Sequence, residues 1–266
     1  MVGSAIIRLL QLRGFNNLIY EDRGSLNLTN QSEVCNFFET KKPEYVFLCA
    51  AKVGGIIANN EQRADFIYEN IQIQNNVIHS AYKNSVKKLI FLGSSCIYPK
   101  ECKIPIKEEY LLKGPLEKTN EPYAIAKIAG IKMCENYFYQ YGANFFSIMP
   151  CNAYGKNDNY NLHTSHVLPA MIRKFYEAKI KKSDNVEIWG TGKPMREFIY
   201  VDDIAKASLH VMKLSFKDLY QEGLTHLNVG SGFEISIKDL ALLVADRIGF
   251  KGNLIFDTSK PDGTFR

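Results

Sequence analysis

The chain has 266 residues, of which 46% are hydrophobic and 23% charged, enough for one large or two small domains with a buried core. Its net charge of +5 comes from scattered lysines and arginines, which argues against a nucleic-acid-binding surface and suits a small anionic substrate. No apolar run approaches the ~20 residues that span a bilayer, and the 6 cysteines show no zinc-ligand spacing, which indicates a cytoplasmic protein with reduced thiols.

Residues 1–14, MVGSAIIRLLQLRG, predict a helix that ends at Gly14. A dinucleotide-binding fold normally places a strand and a glycine-rich turn before such a helix. Because the sequence has neither, we expect a chain that lacks the first strand and most of the glycine-rich loop.

The next segment predicts a short strand at residues 18–20, followed by EDRGSLNL at 21–28, where the ribose of a bound adenosine would lie. Arg23 suits a 2′-phosphate there, whereas Glu21 or Asp22 suits a free 2′-hydroxyl. The residue types therefore leave NADP and NAD open.

Residues 31–41 predict a helix and residues 45–51 a buried parallel strand. The strand runs into AAKVGGI at 50–56, a loop that either lets the backbone approach a ligand or forms an ordinary strand–helix turn. Residues 64–83 predict a long helix, within which we interpret His79 as structural.

The central motif begins with the apolar run KLIFLG at 88–93, a predicted strand that ends in Ser94 and Ser95. After a long loop at 100–122, residues 121–141 predict a helix that carries Tyr123 and Lys127. The i, i+4 spacing places both side chains on one helix face.

A nearby ammonium favours the phenolate of Tyr123, and the serine hydroxyls can hydrogen-bond a carbonyl oxygen. This set of residues therefore suits hydride transfer at a carbonyl carbon. A lone Tyr-x-x-x-Lys arises by chance, and the preceding strand and Ser-Ser pair give this one its weight.

The remaining segments predict strands and helices whose alternation loosens after about residue 159. Asp202 and Asp203 are predicted to open a helix over 205–212. The other predicted elements are a strand at 144–150, a helix at 165–179, a strand and Gly-Thr-Gly turn within 186–207, LNVGSG at 227–232, a helix near 236–248 and LIFDTSKPDG at 254–263.

SSCIYPK at 94–100 and NEPYAIAKIAGIK at 120–132 resemble the active site of extended short-chain dehydrogenases/reductases. The closer resemblance is to the members that 3,5-epimerise and 4-reduce GDP-4-keto-6-deoxy-D-mannose. It implies a Rossmann-type α/β doubly wound parallel sheet in residues 1–158 and a small C-terminal α/β substrate domain in 159–266, with interleaved segments. It also implies NADP(H) as cofactor, a homodimer formed through helices 64–83 and 121–141, and a C-terminus that stops before the usual end of the second domain.

The same resemblance implies a set of cofactor-binding residues from six places along the chain. They are Gly3, Arg23, Asn27, Leu28, Leu92, Gly93, Ser94, Ser95, Lys127, Pro150, Cys151, Asn152, Ala153 and His166. It also favours cofactor contact by the AAKVGGI loop.

Epimerisation requires a second acid/base pair besides the Ser94–Tyr123–Lys127 group. Cys96 is the candidate base, because a thiolate near cations forms close to neutral pH, and His166 is the candidate acid. Read without the resemblance, Cys96 could be a small buried hydrophobe and His166 a helix N-terminal residue. Both match the acid/base positions of the resembled enzymes.

Four residues match their GDP-sugar positions: Lys174, Trp189, Arg196 and Asp262. Arg196 and Lys174 suit a diphosphate, and the single Trp could stack on a base or sugar. A core position for Trp189 and a surface position for Lys174 are the alternatives.

Two rival functions remain at this stage. One is another nucleotide-sugar reductase, epimerase or 4,6-dehydratase, although a dehydratase typically has an Asp-Glu pair where this chain has Ser95 and Cys96. The other is a non-catalytic protein that keeps the pocket without holding cofactor.

Overall fold

The computed structural model describes residues 1–220, 224–260 and 262 as an α/β protein. Its strands are β1 Tyr45–Leu48, β2 Lys88–Leu92, β3 Phe145–Pro150, β4 Asn152–Tyr154, β5 Asn185–Trp189, β6 Met195–Tyr200, β7 His226–Val229, β8 Glu234–Ser236 and β9 Asn253–Asp257. Its helices are α1 Val2–Leu12, α2 Gln31–Lys41, α3 Ile56–Glu61, α4 Arg63–Lys83, α5 Glu121–Tyr141, α6 Val167–Lys181, α7 Val201–Lys213, α8 Phe216–Leu219 and α9 Ile237–Ile248. None of these helices is both long and apolar enough to cross a membrane.

The first sheet is parallel and has the strand order β1-β2-β3-β7. Strand β2 is buried along its whole length, as expected for a strand covered on both faces. Leu89 and Phe91 belong to a core formed with α2, α4 and α5, whereas Ile90 and Leu92 belong to a core that includes α7. Helices on both faces of a parallel sheet confirm the predicted doubly wound architecture.

The second part is built on smaller sheets. Strands β5 and β9 pair in parallel, and β6 pairs with β4 and β8. Helices α6 and α9 enclose a separate core that includes Phe175, Ile188 and Ala241. Strand β7 of this half of the chain joins the first sheet, so the two regions interleave.

Helix boundaries follow local signals. Helix α5 has Pro122 in its first turn and ends at Gly142, whose φ of 67° is left-handed. Helix α9 begins after Ser236, whose hydroxyl accepts a hydrogen bond from Asp239 N at 3.0 Å. The predicted α5 bounds agree with the structure, and those of α4 and α9 differ by one residue.

The strand predicted at residues 18–20 is wrong, because this segment is not a strand in the structure. An extended segment becomes a strand only when its backbone pairs with a neighbour, and among the described residues β1 pairs with β2 alone. Ile19 and Tyr20 are instead exposed. The strand expected over 45–51 ends at Leu48.

The predicted cap of α7 also needs correction. The residue before the helix is Tyr200, which makes no side-chain cap hydrogen bond, and the helix begins at Val201. Asp202 instead accepts from Arg8 at 2.8 Å, and Asp203 from Lys206 at 2.9 Å. In the segment predicted at 254–263, residues 261 and 263 lie outside the described part of the chain.

Candidate active site

The centre of the site is the carboxyl end of β2, where Gly93 and Ser94 follow Leu92. Ser94 caps a 3-10 turn over Ser95–Ile97, and its Oγ accepts from the Cys96 backbone N at 3.4 Å. A Cβ at Gly93 would lie 2.2 Å from Met149 Sδ, so the chain passes β3 too closely for any larger residue. This turn holds Ser94 and Cys96 side by side.

Helix α5 brings Tyr123 and Lys127 to the same place. The buried Lys127 Nζ donates to the Leu92 carbonyl at 2.8 Å and lies 5.7 Å from the centre of the Tyr123 ring. The Ser94 hydroxyl lies beside the Tyr123 phenol and the Cys96 thiol, where it lowers the pKa of each. The structure therefore brings together four of the predicted catalytic residues.

Burial controls the protonation of these groups. It raises the pKa of Cys96 to about 11, against the lowering effects of Ser94 and Lys127. It also raises the pKa of Tyr123 well above the usual range, and lowers that of Lys127 to about 8. In this structure the effect of burial outweighs the nearby charge and hydrogen bonds, so the raised pKa values of Cys96 and Tyr123 favour the thiol and the phenol.

The AAKVGGI loop is held by α4 and by the segment that precedes α6. Buried Asn70 accepts from Lys52 N at 2.9 Å and donates to Lys52 O at 3.0 Å. Gly55 N donates to Thr164 O at 3.0 Å, and a Cβ at Gly55 would lie 2.6 Å from Ser165 O. The glycine therefore permits close packing of this loop against the residues that precede His166.

His166 immediately precedes α6 and makes no side-chain cap hydrogen bond there. Loss of hydration lowers the pKa of His166, because it disfavours the charged imidazolium, and the nearby Asp158 carboxylate opposes this by raising the pKa. The lowered pKa favours the neutral imidazole, so His166 must take up a proton before it can act as an acid. The neighbouring Ser165 Oγ is buried and has no hydrogen-bond partner among the described residues.

The predicted adenosine side contains a cavity of about 480 Å³. Two of the residues proposed from the sequence to bind cofactor, Arg23 and Asn27, line it, together with Thr29, Asp65, Tyr68 and Glu69.

An ion-pair chain that sequence reasoning missed also runs along this cavity. Glu69 accepts from Arg23 at 3.1 Å and from Lys52 at 2.8 Å, and Lys52 also bonds Asp65 at 3.3 Å. The i, i+4 spacing of the two acids on α4 was the available signal.

Other predicted cofactor positions also have local roles. Leu92 O accepts from Lys127, and Cys151 N donates to Val229 O at 3.0 Å. Asn152 Nδ2 donates to Glu197 O at 2.8 Å. Gly3 lies in the first turn of α1, where a Cβ would meet only Cys49 Cβ at 3.7 Å. Leu28, Ser95, Pro150 and Ala153 occupy the loop before α2, the 3-10 turn, the end of β3 and strand β4.

The four predicted substrate residues lie around the end of β5. Trp189 is 40% exposed, which excludes the core alternative. Its Nε1 donates to Glu187 Oε1 at 3.1 Å, and Lys174 Nζ lies 5.2 Å from the centre of its ring. Lys174 is half-buried, and its Nζ donates to Glu187 O at 3.1 Å.

Asp262 is hydrogen-bonded to the Gly-Thr-Gly turn. Its carboxylate accepts from Thr191 N at 2.6 Å and from Thr191 Oγ1 at 2.8 Å. Burial lowers the pKa of Arg196, and Asp262 opposes this, so the two side chains interact electrostatically.

Sequence comparison decides the family. A model described as the NAD dependent epimerase/dehydratase family matches residues 1–230. The chain belongs to this family. It is 58% identical over 266 residues to the putative GDP-L-fucose synthase 2 of Arabidopsis thaliana, covering 100% of this chain and 79% of that protein. It is 53% identical over 269 residues to the GDP-L-fucose synthase of Escherichia coli (strain K12), covering 100% and 84%.

Solved structures agree with the fold of this family. The crystal structure of a GDP-6-OMe-4-keto-L-xylo-heptose reductase from C. jejuni matches with a TM-score of 0.93 and 46% identity, over 99% of this chain and 85% of that one. A GDP-L-fucose synthetase from Naegleria fowleri bound to NADP matches with a TM-score of 0.87 and 29% identity, over 99% and 80%.

Proposed function

We propose that this protein is a GDP-L-fucose synthase, which converts GDP-4-keto-6-deoxy-D-mannose to GDP-L-fucose by 3,5-epimerisation and NADPH-dependent 4-reduction. The observation that carries the proposal is the grouping of Ser94, Cys96, Tyr123 and Lys127 at the end of β2. Identities of 58% and 53% to curated GDP-L-fucose synthases over the whole chain support the substrate.

In the reduction, Tyr123 donates the proton to the C4 oxygen, since burial keeps its phenol protonated. Ser94 donates a hydrogen bond to the same oxygen and orients it. Lys127 compensates the charge that develops on Tyr123 as the proton leaves, and it holds the nicotinamide ribose. NADPH supplies the hydride when bound.

In the epimerisation, the Cys96 thiolate takes the proton from C3 or C5, and the protonated imidazole of His166 donates a different proton to the opposite face. Before the second carbon reacts, the Cys96 thiol loses its proton to solvent and His166 takes one up from solvent. The 4-keto group makes the protons at C3 and C5 acidic, because the negative charge left behind spreads onto its oxygen. The pKa of about 11 for Cys96 means that the thiol must first lose its own proton. Lys127, which lowers that pKa, is the nearby cation that favours this loss.

The residues present fit NADP(H). Arg23, exposed at the edge of the 480 Å³ cavity, would bind the 2′-phosphate, with Asn27 and Leu28 beside the ribose. Ser165 Oγ, next to His166, has no hydrogen-bond partner within the described ranges and offers a polar contact to a ligand. Arg23 must exchange Glu69 for the phosphate, which costs little because a largely exposed ion pair contributes only ~0–1 kcal/mol.

We also propose the molecular setting. Residues 1–158 form the cofactor-binding domain and residues 159–266 the substrate domain, joined through β7. Exposed side chains on α4 and α5, such as Tyr68 and Ile125, suit a homodimer interface. The free cysteines suit the cytoplasm.

A second candidate is a GDP-heptose C4 reductase that does not epimerise its substrate. The TM-score of 0.93 to the C. jejuni reductase supports this second candidate. Cys96 and His166 would then have no acid/base role, and the two candidates differ in whether the substrate exchanges protons with solvent.

The test is to mix the purified chain with NADPH and GDP-4-keto-6-deoxy-D-mannose, following nicotinamide absorbance and the nucleotide-sugar product. We expect loss of absorbance with formation of GDP-L-fucose, and a Tyr123→Phe variant reduced by at least about 100-fold, as for loss of a general acid. NADPH binding without turnover of this sugar, or formation of an unepimerised 4-reduced product, would overturn the proposal.

A further inference from the structure

Trp189 has a second cation beside it that the family resemblance does not assign. Lys260 Nζ lies 5.7 Å from the centre of the indole ring, close to the 5.2 Å of Lys174. Both distances are within the range of cation–π attraction. Trp189 thus attracts two ammonium groups to one place on the surface of the substrate region.

The carboxylates near these cations already accept hydrogen bonds from protein donors. Glu187 accepts from Trp189 Nε1 at 3.1 Å, and Asp257 from Ser259 Oγ at 2.6 Å. Asp262 accepts from Thr191 N and Oγ1 at 2.6 and 2.8 Å. Within the described part of the chain, none of the three lies within 4.0 Å of a lysine or arginine nitrogen as an ion pair, and each acts on one of the cations only at longer range: Glu187 on Lys174, Asp257 on Lys260 and Asp262 on Arg196.

The cations, by contrast, keep donor capacity. Lys174 donates to a backbone carbonyl of Glu187, and Arg196 to that of Met195 at 2.7 Å. The Lys260 ammonium donates to no acceptor among the described residues. An ammonium has three donors, so this site can offer hydrogen bonds and positive charge to an anionic ligand.

Hydrogen bonds to Asp257 and of Asp262 hold the backbone on either side of Lys260 in place. The Lys260 backbone N donates to Asp257 O at 3.2 Å, and that carbonyl also accepts from Gly190 N at 2.9 Å. Two residues later, Asp262 is bonded to Thr191 of the same Gly-Thr-Gly turn. The segment is therefore fastened to the turn that follows Trp189 both before and after Lys260, which reduces the entropy lost when the side chain binds a ligand.

We propose that Lys260 is a further substrate-binding residue of this protein, which binds the diphosphate of the nucleotide-sugar next to Trp189. The proposal rests on the proposed function for the class of substrate. Phosphate oxygens are strong acceptors, and each charge-assisted hydrogen bond to one is shorter and stronger than a neutral bond. Arg196 and Lys174 would share the same diphosphate with Lys260.

The single Trp of the chain makes the test local, because intrinsic tryptophan fluorescence reports on Trp189 alone. GDP and guanosine are titrated into the wild type, Lys260→Met, Lys174→Met and a control, Lys251→Met. Methionine keeps the length and apolar stem of lysine and removes the charge. Lys251 is an exposed lysine at the far end of β9 from Trp189.

We expect Lys260→Met to raise the Kd for GDP about tenfold, to leave that for guanosine unchanged, and to weaken the salt dependence of GDP binding. Lys251→Met should bind GDP as the wild type does, and Lys260→Arg should retain most of the affinity. Unchanged GDP affinity in Lys260→Met would overturn the proposal, as would equal losses for GDP and guanosine.

Failure of the proposed function gives a different pattern. Wild-type protein that binds GDP but does not turn over the 4-keto sugar would overturn the reaction and leave the Lys260 comparison valid. Fluorescence that responds to UDP and not to GDP would overturn the guanine assignment, and the same variants would then be compared with UDP. A wild type whose fluorescence responds to neither nucleotide would overturn the Lys260 proposal itself.

Discussion

Cys96 and Lys127 lie in the same site, and loss of hydration moves their pKa values in opposite directions. It raises the pKa of Cys96 to about 11 and lowers that of Lys127 to about 8, because in both cases the charged form loses hydration. The two proposed half-reactions need the charged forms of different residues. Epimerisation requires the Cys96 thiolate, whereas reduction is helped by the Lys127 ammonium.

We therefore expect opposite pH dependences for the two half-reactions. The fraction of Cys96 thiolate increases tenfold per pH unit up to its pKa, and the thiol formed after proton removal exchanges with solvent and can return deuterium to the same carbon without His166. Solvent deuterium should therefore enter C3 and C5 faster as pH rises from 7 to 9. Reduction should slow above about pH 8, where Lys127 loses its proton. Deuterium exchange is measured with NADP⁺ present, and reduction is measured on the already epimerised 4-keto sugar.

Cys96→Ser provides the control for this pair of profiles. It should abolish the exchange while the reduction profile still falls above about pH 8. Exchange at the wild-type rate in Cys96→Ser would contradict the assignment of Cys96 as base. Two wild-type profiles that rise and fall together would contradict the separate roles of the two residues.

At the residue scale, sequence motifs predicted the groups that share one short segment or one helix face. Tyr123 and Lys127 meet because their spacing fixes it, and Ser94 and Cys96 because one turn holds both. Their protonation was not predictable, because it depends on burial by the whole fold. The same holds for the contacts of Arg23 with Glu69 and of Lys260 with Trp189, which join segments far apart in the chain.

At the scale of elements, α5 packs closely against the sheet and α4 because Gly130 has no side chain. A Cβ there would lie 2.5 Å from Phe91 Cζ and 2.8 Å from Gln74 Oε1. Gln74 in turn donates from Nε2 to Ala126 O at 2.7 Å, next to Lys127 in the chain. Gly130 thus sets the distance between α4, α5 and β2, on which the position of Lys127 depends.

Gly130→Ala should destabilise the chain by about 1–3 kcal/mol, since overpacking of this size outweighs the ~1 kcal/mol gained in helix propensity. The matched control is Gly3→Ala in α1, where the added Cβ would be 3.7 Å from Cys49 Cβ, an ordinary contact. That change should leave stability unchanged or raise it by up to ~1 kcal/mol. Urea unfolding without cofactor measures both, and shifts of the same sign and size would contradict the argument.

Sequence periodicity predicted the helices of this protein better than its strand pairing. Helices α2, α4 and α5 were predicted because caps and apolar spacing are local. The strand predicted at residues 18–20 failed because a strand depends on a hydrogen-bonded neighbour that local sequence does not specify. The incorporation of β7 into the first sheet is likewise a property of the tertiary fold.

At the scale of the whole molecule, α4 and α5 pack on each other and leave one stripe facing outward. Tyr68 is 62% exposed and Ile125 is 41% exposed, and Ala129 lies one turn after Ile125 on the same face. Large apolar side chains next to a small residue form a surface against which a second helix pair can pack closely. A homodimer through this stripe would place two active-site helices near each other.

We expect the wild type to sediment as a dimer at micromolar concentration and Ile125→Glu to sediment as a monomer, because pairing two copies would bury two unpaired carboxylates. The control is Leu242→Glu, which places the same charge at a side chain 49% exposed on α9. It should remain dimeric. Circular dichroism should be the same for both variants, so that loss of the dimer is not confused with unfolding. A monomeric wild type, or a dimer that survives Ile125→Glu, would show that this stripe is not the interface.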